Sequence, residues 1–78
     1  SLTNRQEEVL RVARSAGGSG VTLFEICAIL ALPVNSVSGR VTELVRAQLL
    51  RDSGKRRRNP RTGVNGAVWV SVPEGGII

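Results

Sequence analysis

Histidine, methionine and tyrosine are missing from this 78-residue sequence, and cysteine occurs once, at Cys27. Without histidine, the chain has no imidazole base, no imidazole metal ligand and no side chain whose ordinary pKa lies near neutral pH. One cysteine excludes an internal disulfide, and without histidine it cannot form an ordinary zinc site or a Cys–His nucleophile. Because Cys27 lies among apolar residues, we predict a small core residue rather than a reactive thiol.

The acidic residues and the glycines also lack a pattern typical of catalysis. Six carboxylates are scattered along the chain, and only Glu7 and Glu8 are adjacent. Consecutive residues of a helix point in different directions, so these two make a poor acid–base pair. The run GGSG at 17–20 lacks the Lys and Ser/Thr of a P-loop and is more typical of a helix end. We therefore expect no enzyme, and no cofactor, metal or small-molecule ligand.

Long apolar runs are missing as well. No run approaches the roughly 18 residues needed to span a bilayer, and no signal-peptide pattern opens the sequence, so we expect a cytoplasmic protein that makes no use of a membrane. A chain of 78 residues forms one domain at most, and its apolar content of 41% is ordinary for a small folded domain. The only aromatic residues are Phe24 and Trp69, which argues against a surface for stacking single-stranded nucleic acid.

What the chain does have is an uneven excess of positive charge. Its net charge is +5. Residues 1–51 contain six basic and four acidic side chains, whereas residues 52–78 contain five basic and two acidic ones. Most of the excess lies in one segment, DSGKRRRNPRTGVNG at 52–66. This asymmetry indicates a polyanionic partner, with nucleic acid ahead of an anionic membrane surface.

Two capping boxes mark the beginnings of helices. In such a box, a Thr side chain accepts a hydrogen bond from the backbone three residues on, and a Gln or Glu there reciprocates. The box of Thr3 and Gln6 predicts a helix over residues 3–16, and the box of Thr22 and Glu25 predicts a helix from residue 22 to about residue 30. The second helix is apolar nearly all round, so we expect it to pack against other elements.

A third helix is predicted over residues 33–47, after a short break. Pro33 disfavours helical geometry at the residue before it and suits the first position of a new helix. One face of this helix is spaced for a core, with Val37, Val41, Leu44 and Val45. The opposite face is short and polar and consists of Asn35, Ser36, Gly39, Thr42, Glu43 and Arg46, with Ser38 and Arg40 on its flanks.

A hairpin is predicted after the third helix. Its strands are residues 49–53 and 66–72, and the basic segment with its Gly, Pro and Asn residues forms the connecting loop. Residues 20–21 are expected as a short edge strand. Residues 1–73 would form the domain, and residues 74–78 a flexible C-terminal tail whose apolar end suggests a longer parent protein.

This order of elements resembles the winged helix-turn-helix family of DNA-binding domains, of the small bacterial and phage regulator type that includes the MarR-like group. The resemblance covers residues 21–72 and implies an α+β fold, a three-helix bundle followed by a β-hairpin wing. Relatives often have Gly between the third helix and the wing, where this chain has Ala47 and Gln48, and the wing here is long. The residues that carry the pattern are Ser36, Val37, Ser38, Arg40, Val41, Glu43, Leu44 and Val45, followed by Leu49 and Leu50.

The resemblance also implies a function, which is binding to double-stranded DNA by a transcriptional or replication regulator located with the nucleoid. The third helix would lie in the major groove, where Asn can pair with adenine and Arg with guanine. The wing would grip the phosphate backbone or enter the minor groove. The implied recognition-helix residues are Asn35, Ser36, Ser38, Gly39, Arg40, Glu43 and Arg46, and the implied wing residues are Lys55, Arg56, Arg57, Arg58 and Arg61.

Each of these features has a plainer interpretation. The polar helix face and the basic loop are also typical of solvated surface, or of a localisation signal in the case of the loop. Gly39 fits neutral variation as well as close approach to a groove, and Trp69 fits a cap on the core better than a stacking group. Because Glu43 offsets Arg40, the alternative function is a protein-interaction adaptor in a transcription or replication complex. A domain this small would favour a homodimer or a larger parent, and binding to RNA or left-handed DNA is disfavoured by the lack of tyrosine.

Overall fold

A computed structural model describes residues 1–73 of the chain. Three helices come first and a two-stranded antiparallel hairpin follows, so the fold is α+β as predicted. No helix within residues 1–73 has the length and apolar content to cross a membrane. The predicted tail at 74–78 lies outside the described residues. The elements are α1 (Asn4–Ala16), a 3-10 turn (Gly17–Ser19), α2 (Leu23–Leu30), α3 (Val34–Arg46), β1 (Leu50–Arg58) and β2 (Asn65–Ser71).

Both predicted capping boxes are present. At the start of α1, the Thr3 hydroxyl accepts from the Gln6 backbone at 3.2 Å, and the Thr3 backbone donates to the Gln6 side chain at 2.8 Å. At the start of α2, Thr22 and Glu25 exchange the same two bonds at 3.2 and 3.0 Å. Such caps stabilise a helix by about 1 kcal/mol each. The local sequence therefore sets where α1 and α2 begin.

The second helix is packed on one side and exposed on another. Ile26 is the buried residue of α2, whereas the side chain of Ile29 is 64% exposed. As predicted, α2 packs against other elements, namely α1, α3 and β2, but these elements leave Ile29 uncovered. Pro33 has an extended backbone and caps α3, so α3 starts at Val34 instead of the predicted residue 33 and ends at Arg46 instead of 47.

The core lies between the three helices and the base of the hairpin. Trp69 is half-buried against it, as predicted, whereas Cys27, predicted as a core residue, is only partly buried and packs against the core. Each fully buried aliphatic side chain contributes about 1.5–3 kcal/mol to folding. The buried apolar residues are Val9, Leu10, Ala13, Val21, Ile26, Val37, Val41, Leu44, Leu50, Val68 and Val70.

The first hairpin strand is longer than predicted, whereas the second has the predicted length and lies one residue earlier. β1 continues past residue 53 to Arg58, so four of the five predicted loop cations lie within a strand. The pairing jumps from Asp52↔Trp69 to Arg56↔Ala67, which sets residues 53–55 opposite Val68 alone. This irregularity centres on Gly54, whose φ is 86°. The sequence prediction ended the strand at Ser53 and put Gly54 in the loop because glycine is typical of turns, but here Gly54 lies in a bulge after which pairing resumes.

Two further predictions concern the backbone around the hairpin. Gln48 adopts a left-handed φ of 63°, so the sharp turn that often takes glycine is made by glutamine. Val21 forms an isolated bridge with Trp69 through two backbone hydrogen bonds of 2.8 Å, as expected for the short edge strand. Gly20 precedes this bridge with a φ of 69°, and a Cβ placed on it would lie 2.8 Å from the Trp69 carbonyl oxygen. The close approach of these two backbones requires glycine at position 20.

Candidate functional site

The outward face of α3 is a stripe of small and polar side chains. Asn35, Thr42 and Arg46 are exposed, Gly39 lies between them, and their spacing of four, three and four residues keeps them on one side of the helix. A Cβ added to Gly39 would meet nothing within 4 Å, so no contact inside the described chain explains the glycine. The predicted residues Ser36 and Ser38 are half-buried on the flanks of this stripe.

Two exposed residues of α3 were not predicted as site residues. The Thr42 hydroxyl donates to the Ser38 carbonyl at 3.2 Å and belongs to the central stripe. The helical period already placed it there, so this signal was available in the sequence. Val34 is 42% exposed at the first position of the helix. It stands three residues before the buried Val37, a spacing that favours the core, and only its place at the helix end leaves it uncovered.

Arg40 is held by a neighbouring carboxylate on the same helix. Its Nε donates to Oε1 of Glu43 at 2.7 Å, and its Nη2 donates to Oε2 at 2.9 Å. Gln6 of α1 donates to the same Oε1 at 2.9 Å. The bonds from Arg40, followed by that from Gln6, lower the pKa of Glu43, and the carboxylate in turn raises the pKa of Arg40. Two predicted site residues are thus brought together as a pair that reaches across to α1.

Arg57 is the cation that joins the hairpin to the helices. Its Nη1 donates to both carboxylate oxygens of Glu25, at 2.6 and 2.8 Å, and its Nη2 donates to the Ser19 carbonyl at 2.7 Å. Burial raises the pKa of Glu25, but the hydrogen bonds from Arg57 and the Thr22 backbone outweigh it, so the net pKa is lowered. The sequence predicted Arg57 as a DNA contact, whereas in the structure its guanidinium has partners within the chain.

Arg56 also has a partner within the hairpin. Its Nη1 lies 3.1 Å from Oδ1 of Asp52 and 2.9 Å from the Lys55 carbonyl oxygen. The same Oδ1 accepts from the backbone of Gly54 at 2.9 Å. The Gly54 bond and then the Arg56 bond lower the pKa of Asp52. This small network spans the bulge and stabilises it.

The remaining hairpin cations have no acidic partner among the described residues. In residues 1–73, the ion pairs within 4.0 Å are Arg5–Glu8, Arg40–Glu43, Arg56–Asp52 and Arg57–Glu25. Four of the five carboxylates in that range are therefore neutralised by arginine, and Glu7 is the exception. The basic side chains outside these pairs are Arg11, Arg14, Arg46, Arg51, Lys55, Arg58 and Arg61.

An open groove of about 650 Å³ separates the tip of the hairpin from α2. Phe24, Ala28 and Leu32 give it an apolar side, and Arg58 and Arg61 line it from the hairpin. Cys27 also lines the groove, and burial raises the pKa of its thiol, which therefore stays protonated at neutral pH. Residues 1–73 contain no group of three His, Cys, Asp or Glu side chains that could hold a metal ion.

A second surface lies between α1 and α2. Val12, Ala16 and Leu30 line a shallow depression of about 470 Å³ beside the exposed Ile29. Glu8 and Arg11 also line it. A protein partner that covered this surface would remove apolar area from water.

No protein-family model matches this chain, and no curated protein matches its sequence. The function must therefore be inferred from the geometry and charge of the surfaces described above.

Proposed function

We propose that this chain binds double-stranded DNA as a winged helix-turn-helix domain, within a transcriptional or replication regulator of bacterial or phage type. In this proposal α3 lies in the major groove with its central stripe toward the bases, and the hairpin is the wing. The three helices followed by an antiparallel hairpin are compatible with that family. Nucleoid association and a homodimer or larger parent belong to the same proposal.

The main support is the distribution of paired and unpaired charge. Lys55, Arg58 and Arg61 are exposed, and none of them has an acidic partner within residues 1–73. Arg46, at the end of the exposed stripe of α3, has none either within the same range. Phosphate oxygens would supply these cations with the partners that the described fold does not. Meanwhile the stripe itself carries no carboxylate that would repel a phosphate backbone.

A salt titration tests the proposal. If these four cations each neutralise one phosphate, the logarithm of the affinity for duplex DNA falls with the logarithm of salt concentration at a slope of about −3.6. Fluorescence anisotropy with a labelled duplex at four or five salt concentrations measures this slope. Arg61→Ala should make the slope shallower by about 0.9. Affinity that is independent of salt would contradict the proposal.

Arg11→Ala is the matched control for Arg61→Ala. Both residues are exposed arginines outside the ion pairs of residues 1–73, but Arg11 lies on α1 beside the Ile29 depression. Each substitution removes one positive charge, so the change in net charge is the same. A specific interface predicts that Arg11→Ala loses less affinity for duplex DNA than Arg61→Ala does. Equal losses would indicate nonspecific attraction by net charge alone.

Base recognition by α3 needs a separate test. Selection of duplexes from a random pool should yield a preferred sequence, and Asn35→Ala should change that preference at one position, because Asn can donate to and accept from adenine at once. Arg61→Ala should weaken binding to all duplexes alike. A palindromic preference would support a homodimer.

The apolar depression between α1 and α2, together with the exposed Ile29 beside it, favours a second candidate function, a protein-interaction adaptor in a transcription or replication complex. Its exposed aliphatic side chain and apolar depression lie on α1 and α2 and include no residue of α3 or the hairpin. Duplex DNA added to isotope-labelled protein distinguishes the two functions. Amide shifts in α3 and the hairpin support DNA binding, whereas their absence at low salt supports the adaptor.

A further inference from the structure

The pair between Arg40 and Glu43 uses one edge of the guanidinium and leaves another edge without a partner. Arginine carries five N–H groups in one plane. Glu43 accepts from Nε and from Nη2, which lie on the same side of that plane. No hydrogen bond from Nη1 of Arg40 is formed within residues 1–73, and its side chain is 37% exposed. The end of the fork, made by Nη1 and the second hydrogen of Nη2, is therefore available.

That free edge has the geometry that guanine requires. Arginine reads guanine by donating two parallel hydrogen bonds to O6 and N7 in the major groove. A carboxylate on the Nε side keeps the guanidinium plane fixed without covering the end of the fork. Glu43 would thus orient Arg40 rather than sequester it.

The carboxylate is itself held in place from α1. Gln6 donates through Nε2 to Glu43 at 2.9 Å, and its own Oε1 accepts from the backbone of Thr3 at 2.8 Å. This Gln6 rotamer is therefore fixed by the capping box at the start of α1. A connected series of hydrogen bonds leads from the cap of α1 through Glu43 to Arg40, and it restricts rotamers that free side chains would have to lose on binding.

We infer that Glu43 and Gln6 are positioning residues that hold Arg40 ready to donate to a guanine, so that a residue of α1 determines a base preference of α3. The inference rests on the proposed DNA binding and adds to it the base, the reading residue and its two supports. If Glu43 merely neutralised Arg40, its removal would strengthen guanine recognition. Positioning predicts the opposite.

The test uses 7-deazaguanine, which lacks the N7 acceptor. A duplex selected with the unchanged protein is prepared with this base at each guanine in turn, and the ratio of affinities for the guanine and deazaguanine duplexes is measured. Loss of one bond of a bidentate contact should reduce affinity about tenfold at one position. Arg40→Lys, which keeps the charge but lacks the fork, should abolish this ratio and retain most of the affinity for unrelated DNA.

Glu43→Ala and Gln6→Glu test the two supports. Each should lower the tenfold ratio to about two- or threefold, and Glu43→Ala should bind unrelated DNA at least as tightly as before because a negative charge is lost. Gln6→Glu keeps a capping-box residue at the start of α1, so the helix is retained while the Nε2 donor is replaced by a repelling carboxylate. Far-ultraviolet circular dichroism checks that both variants are folded.

Glu8→Ala is the matched control. Arg5 and Glu8 form a half-exposed pair with the same three-residue spacing on α1, and the ratio should not change when it is broken. An unchanged ratio in Glu43→Ala and Gln6→Glu, with loss in Arg40→Lys, overturns the positioning role but leaves DNA binding intact. A protein that binds duplex DNA with a salt-dependent affinity but is indifferent to every deazaguanine also overturns the inference alone. A lack of salt-dependent binding overturns the proposed function as well.

Discussion

Replacing Arg57 with alanine should mainly lower the stability of the protein, and it should weaken the affinity for DNA only slightly. Arg57 makes three hydrogen bonds to Glu25 and Ser19, but the side chains of the ion pair are 39% and 37% exposed. Solvent screening at that exposure limits such a pair to roughly 0.2–1 kcal/mol, and the extra bond to a carbonyl favours the upper end, about 1 kcal/mol. For a domain of this size, that corresponds to a fall in Tm of about 4–8 °C.

Thermal unfolding followed by circular dichroism, together with the salt titration, measures both effects on one preparation. Arg61→Ala is the comparison, because Arg61 is exposed and outside the ion pairs of residues 1–73. It should leave Tm unchanged and make the salt slope shallower by about 0.9. Arg57→Ala should lower Tm and change the slope by less than half as much.

A double-mutant cycle isolates the contact itself. Glu25→Gln keeps a capping-box residue at the start of α2 while removing the charge. The combined loss in the double variant should be smaller than the sum of the single losses, since both substitutions disrupt the same pair. If Arg57→Ala leaves Tm unchanged and alters the salt slope as much as Arg61→Ala does, Arg57 contacts phosphate and the anchoring role is refuted.

Two further predictions concern the glycines and the response to acid. Gly39→Ala should raise the unfolding free energy by about 1 kcal/mol because its Cβ enters open space. Gly20→Ala should lower it by about 3 kcal/mol because of its left-handed φ and the approach to Trp69. Urea unfolding measures both, and equal effects would contradict the requirement for glycine at position 20. The pKa of Glu25 in the folded protein lies below the ordinary value of 4.5. The ionised Glu25 therefore contributes its full stabilisation of the fold above pH 4.5, and this stabilisation is lost as the pH falls through the folded pKa. Stability should accordingly vary little from about pH 5 to 7, since histidine is absent, and Glu25→Gln should show a shallower acid loss than the unchanged protein. An identical acid profile in the two proteins would count against this assignment.

The elements that the sequence predicted well are those set by neighbouring residues. The boxes of Thr3 and Thr22 each form between residues three apart, so their geometry needs no distant partner. The apolar spacing of α3 likewise fixes which of its faces is buried. The α+β order of helices and hairpin follows from these local signals.

The hairpin was predicted less well because its length depends on pairing between two segments. Gly54 and the run of cations after it resemble a loop by composition, and only the pairing of residues 56–58 with β2 makes them a strand. The exposure of Ile29 has a similar origin. Its helix is apolar on several sides, but the number of neighbouring elements decides how many of those sides are covered.

The start of each capped helix and the buried face of α3 depend on residues within a few positions of one another, and the excess of positive charge is a matter of composition, so all three can be predicted without the fold. Which cations form ion pairs across the fold depends instead on how distant segments pack. Arg57 meets Glu25 across 32 positions, and Gln6 meets Glu43 across 37. Such contacts arise when separate elements pack against a shared core, and neither charge nor spacing along the chain specifies the partner. The residues of the candidate site were therefore predicted from the sequence, whereas the ion pairs and hydrogen bonds among them depend on the tertiary structure.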